Sequence, residues 1–159
     1  MAAFSNIDQL DVAILDHLQT NARMTNKALA SSVGVSPSTT LERVRLLERR
    51  GVITGYHAEV DPAATGGAVQ AFVALRFMPK TRDIIEAAVE SIWKIPEVTA
   101  VHLVSGQDDL LVRVATPDVD TLRQTVMDSI SRIDGIVEER TSLLFESRKK
   151  HRDLGAVQR

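Results

Sequence analysis

The chain contains no cysteine, and only one tryptophan and one tyrosine among 159 residues. Without thiols there is no disulfide framework, thiolate metal site, iron–sulfur cluster or cysteine nucleophile. Long apolar runs are missing too. None approaches the ~18 residues of a membrane span, and the opening MAAFSNIDQLD lacks a basic-then-apolar leader. A soluble, cytoplasmic protein without membrane attachment is therefore expected. Hydrophobic residues at 44% and charged residues at 25% exclude a disordered or fibrous chain. The four histidines, His17, His57, His102 and His151, are scattered, with no i, i+4 pair and no HExxH spacing. No metal, catalytic residue or cofactor is expected from them.

Strong charge of one sign is also lacking, since the net charge is −2. By itself that disfavours a nucleic-acid partner, but the average hides a segregation. Residues 1–60 balance to zero, residues 61–145 carry −5 and residues 146–159 carry +3. Different segments therefore suit different partners.

The prolines and glycines that are present punctuate the chain. Residues 7–18 place Ile7, Leu10, Ile14, Leu15 and Leu18 on one helical stripe, with Ser5 and Asp8 spaced as a capping box. Residues 26–33 form a second helix between an N-cap at Thr25 and a stop at Gly34. Ser36-Pro37 opens a third helix running to about Arg50 and stopped by Gly51. Its wheel puts Leu41, Val44 and Leu47 on an inner face. Residues 52–60 suggest a short hairpin or the start of an extended linker, and the turn-rich DPAATGG of residues 61–67 marks a domain boundary.

Beyond it the period changes. Strands are expected over residues 68–78, 97–104, 109–115 and 136–145. Helices fit residues 82–95, with Ile84, Ile85, Ala88, Ile92 and Trp93 inward, and residues 119–133. The order βαββαβ is the ferredoxin-like arrangement, with helices on one face of an antiparallel sheet. Because the strand over residues 68–78 offers apolar side chains to both faces, the open face predicts assembly as at least a dimer. The division is thus a helix-turn-helix domain with hinge over 1–60, a linker over 61–67, a ferredoxin-like domain over 68–147 and a basic tail over 148–159.

The polar face of the third helix carries Ser38, Thr39, Glu42, Arg43, Arg45 and Arg49. Arginine binds guanine bidentately, hydroxyls reach bases or phosphates, and the N-terminal turns of such a helix make most base contacts in a major groove. Arg49 and Arg50 suit phosphates. In the second domain, the loop Ser105-Gly106-Gln107-Asp108-Asp109 joins two strands. Its backbone N–H groups could receive a carboxylate, and Asp108 or Asp109 an ammonium. These are the two halves of an amino-acid site, although Gly and Asp are also what any hairpin favours.

Several linked segments carry a resemblance: LDVAIL, Asn21-Ala22-Arg23, Gly34-Val35-Ser36-Pro37, Leu41-Glu42-Arg43-Val44, the GVITGY of residues 51–56, and His102-Leu103-Val104-Ser105-Gly106 with Asp109. Over residues 5–147 the chain resembles the Lrp/AsnC, or feast/famine, family of transcriptional regulators. The resemblance implies an α+β protein with a winged helix-turn-helix, a hinge strand and a ferredoxin-like regulatory domain. It implies double-stranded DNA as partner, with Ser36, Ser38, Thr39, Arg43 and Arg49 at matching positions. It also implies dimers, commonly four in a closed octamer, and an amino-acid effector held between dimers at the Gly106–Asp109 loop. His102, Ser105, Gln107 and Asp108 flank that motif, and residues 136–141 of a neighbouring chain are expected to contribute. Asp108, an additional acid, hints at a cationic or polar effector. One departure is that Thr40 and Arg43 occupy positions that phage-repressor motifs keep apolar.

Two other functions compete. A small ferredoxin-like enzyme would need a buried acid–base pair, for which residues 68–145 offer nothing beyond Asp108 and Asp109. That reading also leaves the N-terminal helices idle. A sensor that binds no DNA would use the three-helix unit as a protein contact, and duplex binding that survives substitution of both Arg43 and Arg49 would show the reading helix to be wrong. The regulator reading predicts that deleting the Asp109 carboxylate weakens the effector response and spares duplex binding.

Overall fold

In the computed structural model of the chain, which describes residues 7–148 and 150, Asp8 opens the first element. Its carboxylate accepts the Asp11 N–H at 2.9 Å, while the Asp11 carboxylate accepts the Asp8 N–H at 3.3 Å. This reciprocal capping box starts α1 (Gln9–Thr20). The cap is therefore Asp8 with Asp11, not Ser5 with Asp8; Ser5 lies outside the described residues. Thr25 caps α2 (Asn26–Val33), and Gly34 ends it in a left-handed conformation at φ 72°, a region that costs glycine nothing. Ser36 caps α3 (Pro37–Arg49), with its proline in the first turn.

Ile14, Leu15, Leu29 and Leu47 form the centre of this N-terminal unit, supported by Val33, Val44, Val52 and Ile53. The inner face of α3 is Thr40 and Leu47, both fully buried, whereas Leu41 is exposed. Of the expected inner face Val44 and Leu47 are in the core, and Thr40 takes the place expected for Leu41. Thr40 tolerates burial because its hydroxyl donates to the Ser36 carbonyl at 3.1 Å. Residues 52–60 form neither a hairpin nor a hinge strand here. Instead the N–H groups of Val52 and Ile53 both donate to the Leu47 carbonyl, and the Tyr56 hydroxyl donates to Glu48 at 3.0 Å. The chain is thereby folded back onto α3.

The second compact unit spans Val60–Ser147, the first ending at Glu59. A short 3-10 turn (Ala63–Thr65) precedes β1 (Val69–Phe77), α4 (Arg82–Trp93), β2 (Val98–Leu103), β3 (Leu110–Thr116), α5 (Val119–Gln124) and β4 (Ile136–Leu143). The strands form one antiparallel sheet in the order β2-β3-β1-β4. Alternation on β1 sends Ala71, Val73, Leu75 and Phe77 inward, and β3 does the same with Leu110, Val112 and Val114. These pack on Ala88 and Ile92 of α4, and on Leu122, Val126 and Ile130.

Three expectations for this unit need correction. Trp93 is not core: it is 61% exposed at the end of α4, because Ala88 and Ile92 already point the helix's buried stripe elsewhere. The helix expected over residues 119–133 is α only to Gln124 and continues as a π-helical turn, Thr125–Ile130. That wider turn still buries Val126 and Ile130 together. Finally, β4 stops at Leu143 and leaves Phe145 almost fully exposed.

The open sheet face is also less apolar than expected. Register places Phe72, Ala74, Leu111 and Ala115 at its middle. Arg113 stands among them, directly opposite Phe72, and donates to Gln70 at 2.6 Å, while Arg76 pairs with Glu138 of the neighbouring strand at 2.7 Å. The face therefore mixes apolar side chains with a central arginine.

Candidate nucleic-acid interface and effector loop

The surface of α3 turned from its core is a stripe at i, i+4, i+7 and i+11: Ser38, Glu42, Arg45 and Arg49, all exposed. At 100° per residue Arg45 and Arg49 lie opposite Thr40 and Leu47. Neither makes an ion pair among the described residues. Ser36 serves the helix itself: its Oγ accepts the Thr39 N–H at 3.1 Å and shares hydrogen bonds with the Ser38 and Thr39 hydroxyls at 2.8 Å. Three hydroxyls are thus gathered at the helix N-terminus, where the helix dipole favours an anion such as a phosphate.

Arg43 sits differently from the other sequence-derived candidates. Its guanidinium pairs with Asp8 at 2.5 Å and with Asp11 at 3.3 Å, back across the unit to the capping box of α1. Asp11 is buried to 2% exposure. The Asp11 N–H and the Arg43 guanidinium hold the Asp8 carboxyl below the usual carboxylate range, and Asp8 in turn raises the Arg43 pKa. The position that phage-type motifs keep apolar is therefore filled by an ion pair. Sequence spacing gave no sign of it, since Asp8 and Arg43 are 35 residues apart.

In the second unit, Ser105, Gly106 and Gln107 are exposed at the tip of the β2–β3 loop. Gly106 has φ 134°, a conformation that favours glycine, and nothing lies within 4 Å of where a Cβ would stand. His102 is exposed on the open face, opposite Leu111. The structure does not bring all the expected polar groups to this tip. Asp109 turns inward, 2% exposed, where its carboxylate accepts the Phe77 N–H at 2.9 Å and pairs with Lys80. Lys80, and then the Phe77 N–H, hold its pKa below the ordinary value. Its backbone is tied as well, with the Asp109 N–H donating to the Leu75 carbonyl and the Val104 N–H to the Asp109 carbonyl. Asp109 pins the loop to the end of β1.

Asp108 is paired with Arg140 at 2.6 Å, and Arg140 reaches Glu138 at 2.8 Å. The extra acid is thus neutralised within the same chain, which removes the hint of a cationic effector. Sequence reasoning missed Lys80 and the pairing of Arg140. Both partners lie far away in sequence, so no local pattern announces them. The basic tail is described only at Arg148 and Lys150; Lys149 and residues 151–159 lie outside the described residues. Among the described residues no cluster of metal-ligating side chains occurs, and no helix is long and apolar enough to cross a membrane.

Comparison with known proteins adds to this geometry. Residues 7–54 match the family model for winged helix-turn-helix DNA-binding domains, and residues 70–154 that for the Lrp/AsnC ligand binding domain. The chain is 36% identical over 141 residues to the HTH-type transcriptional regulator AldR of Mycolicibacterium smegmatis, covering 89% of this chain and 82% of that one. It is 34% identical over 145 residues to the leucine-responsive regulatory protein of Escherichia coli, covering 91% and 88%. A Neisseria meningitidis transcriptional regulator solved as an L-Met complex superposes with a TM-score of 0.84 at 30% identity, covering 92% and 95%.

Proposed function

Because the chain belongs to the Lrp/AsnC family of DNA-binding transcriptional regulators, and is no enzyme, we propose how its parts divide that work. α3 enters the major groove of double-stranded DNA. Arg45 and Glu42 face base edges, where arginine suits guanine and a carboxylate accepts from cytosine. Arg49 and the hydroxyls of Ser36, Ser38 and Thr39 hold phosphates and set register. The observation that carries this reading is the exposed Ser38–Glu42–Arg45–Arg49 stripe opposite the buried Thr40 and Leu47.

The effector is an amino acid. It meets the exposed N–H groups around Gly106, with Ser105 and Gln107 beside it, and the L-Met complex of the Neisseria relative supports that class of ligand. Asp109 supports the loop from beneath and does not itself touch the effector. The apolar side chains of the open face, Phe72 and Leu111 on neighbouring strands, suit a second copy of the chain in a dimer. Further assembly to an octamer would place the loop between dimers, in the cytoplasm where its DNA is. An effector seated there acts only through its different affinity for two arrangements of the assembly.

Calorimetric titration with single amino acids, paired with sedimentation, tests the effector reading. Saturable heat with a shifted assembly state is expected for at least one amino acid. Saturable heat that survives replacement of Gly106 by valine would move the effector away from this loop.

A further inference from the structure

We infer that Asp8 and Asp11 withhold Arg43 from DNA and use it to set the seating of α3, making all three positioning residues for the reading stripe. The inference rests on the proposed role of α3. Among the described residues Arg43 is the one arginine of α3 ion-paired to another helix, at 2.5 Å to Asp8 and 3.3 Å to Asp11. Asp11 is almost fully buried, and a buried carboxylate left without its cation is costly. Asp8 and Asp11 are further fixed by their reciprocal bonds to each other's N–H groups. The guanidinium is therefore held by two oxygens that cannot swing to follow it. Only 35% of the Arg43 side chain is exposed.

The geometry of α3 gives the clamp its purpose. Thr40 and Leu47 bury one side of the helix, and Arg43 lies between them in sequence on the flank facing α1. Thr40 is small and polar, so it fixes helix rotation less firmly than a large apolar knob would. A two-pronged ion pair supplies a directional constraint that dispersion contacts do not. Rotation of α3 by a few tens of degrees would displace Arg45 and Glu42 from the base edges they face. The clamp thus acts on specificity, and the phosphate contacts belong to Arg49 and its neighbours.

The test uses the full chain and a duplex selected by the wild-type protein from a random-sequence pool. Affinity is measured across a range of salt concentrations, and the selection is repeated with each variant. Each phosphate contact contributes about 0.9 to the slope of log affinity against log salt. Arg43→Met is expected to weaken binding about three- to tenfold, leave the salt slope unchanged and broaden the selected sequence at several positions together. Arg43→Lys, which keeps a cation for Asp8 and Asp11, recovers most of the affinity. The double variant Asp8→Asn with Asp11→Asn retains a capping side chain but frees Arg43. Its slope should steepen by about 0.9 for each recognition helix engaged, with poorer discrimination between selected and unselected duplexes.

A slope that flattens with Arg43→Met, or loss of a single base position from the selected sequence, would mean that Arg43 leaves the clamp and works on DNA. Unaltered binding by Arg43→Met would equally overturn the inference. Should that variant fail to fold by circular dichroism, the double variant decides: an unchanged or flatter slope counts against the clamp. Arg49→Met serves as the reference for the underlying reading. If it leaves the slope unchanged, α3 is not the DNA-contacting helix, a failure separate from that of the clamp.

Discussion

Asp109 shows how one residue type serves two quite different tasks. In a hairpin loop beside Gly106, a carboxylate suits an ammonium ligand; in the folded unit it is buried against the Phe77 N–H and Lys80. Asp109→Ala would strand that N–H, and a buried donor without a partner costs about 1–3 kcal/mol. Urea denaturation of the full chain should register that loss in the C-terminal unit, with Asp109→Asn, which keeps an acceptor, losing less. An apparent loss of effector response in Asp109→Ala is then secondary to a loosened loop. The pH dependence follows from the sign of the shift. The native pKa of Asp109 lies below its ordinary value, so its stabilisation is complete above the unfolded value of about 4. It is lost as pH falls through the lowered native value. The unfolding midpoint should drop on acidification below about pH 4, and the drop should shrink in Asp109→Asn.

At the scale of elements, caps and punctuation were the most legible part of the sequence. Thr25, Gly34 and Ser36-Pro37 fall where the helices begin and end, because each acts through its own backbone or a neighbour's N–H. Alternation likewise marked β1 as a strand, but with apolar side chains on both faces it did not say which set, Ala71 to Phe77, would turn inward. What escaped was set by tertiary partners. Leu41 looked inward by its apolarity, yet Thr40 and Arg43 take the inner flank because Ser36 and the α1 acids satisfy their polar groups. Trp93 looked like core for the same reason, and π-helical winding within residues 119–133 carries no periodic signal. The pairings of Asp108 with Arg140, and of Asp109 with Lys80, could not be read from spacing either. Ser36 provides the test at this scale. Replacing it with alanine removes the cap of α3 and should cost about 1 kcal/mol of N-terminal stability, read by thermal unfolding. It should also weaken duplex binding through a frayed first turn.

For the whole molecule, the charge pattern accounts for how a chain of net charge −2 binds a polyanion. The acids concentrate in the ferredoxin-like unit, while α3 presents Arg45 and Arg49 locally. Binding should therefore be steep in salt and confined to one face. The open sheet face supplies a second whole-molecule prediction. Phe72 is its large apolar side chain on the central strand β1, so Phe72→Glu should shift sedimentation toward monomer while leaving helix content unchanged. A dimer also presents two recognition helices, which favours paired half-sites in DNA over a single one.

The most direct measurement is equilibrium binding of the full chain to a duplex selected from a random pool, repeated with each amino acid in turn. The account predicts salt-sensitive binding whose affinity or stoichiometry shifts with at least one amino acid, and predicts that Arg45→Met abolishes selection while Gly106→Val abolishes the shift. Selective duplex binding that persists in Arg45→Met, or an effector shift that persists in Gly106→Val, would contradict it.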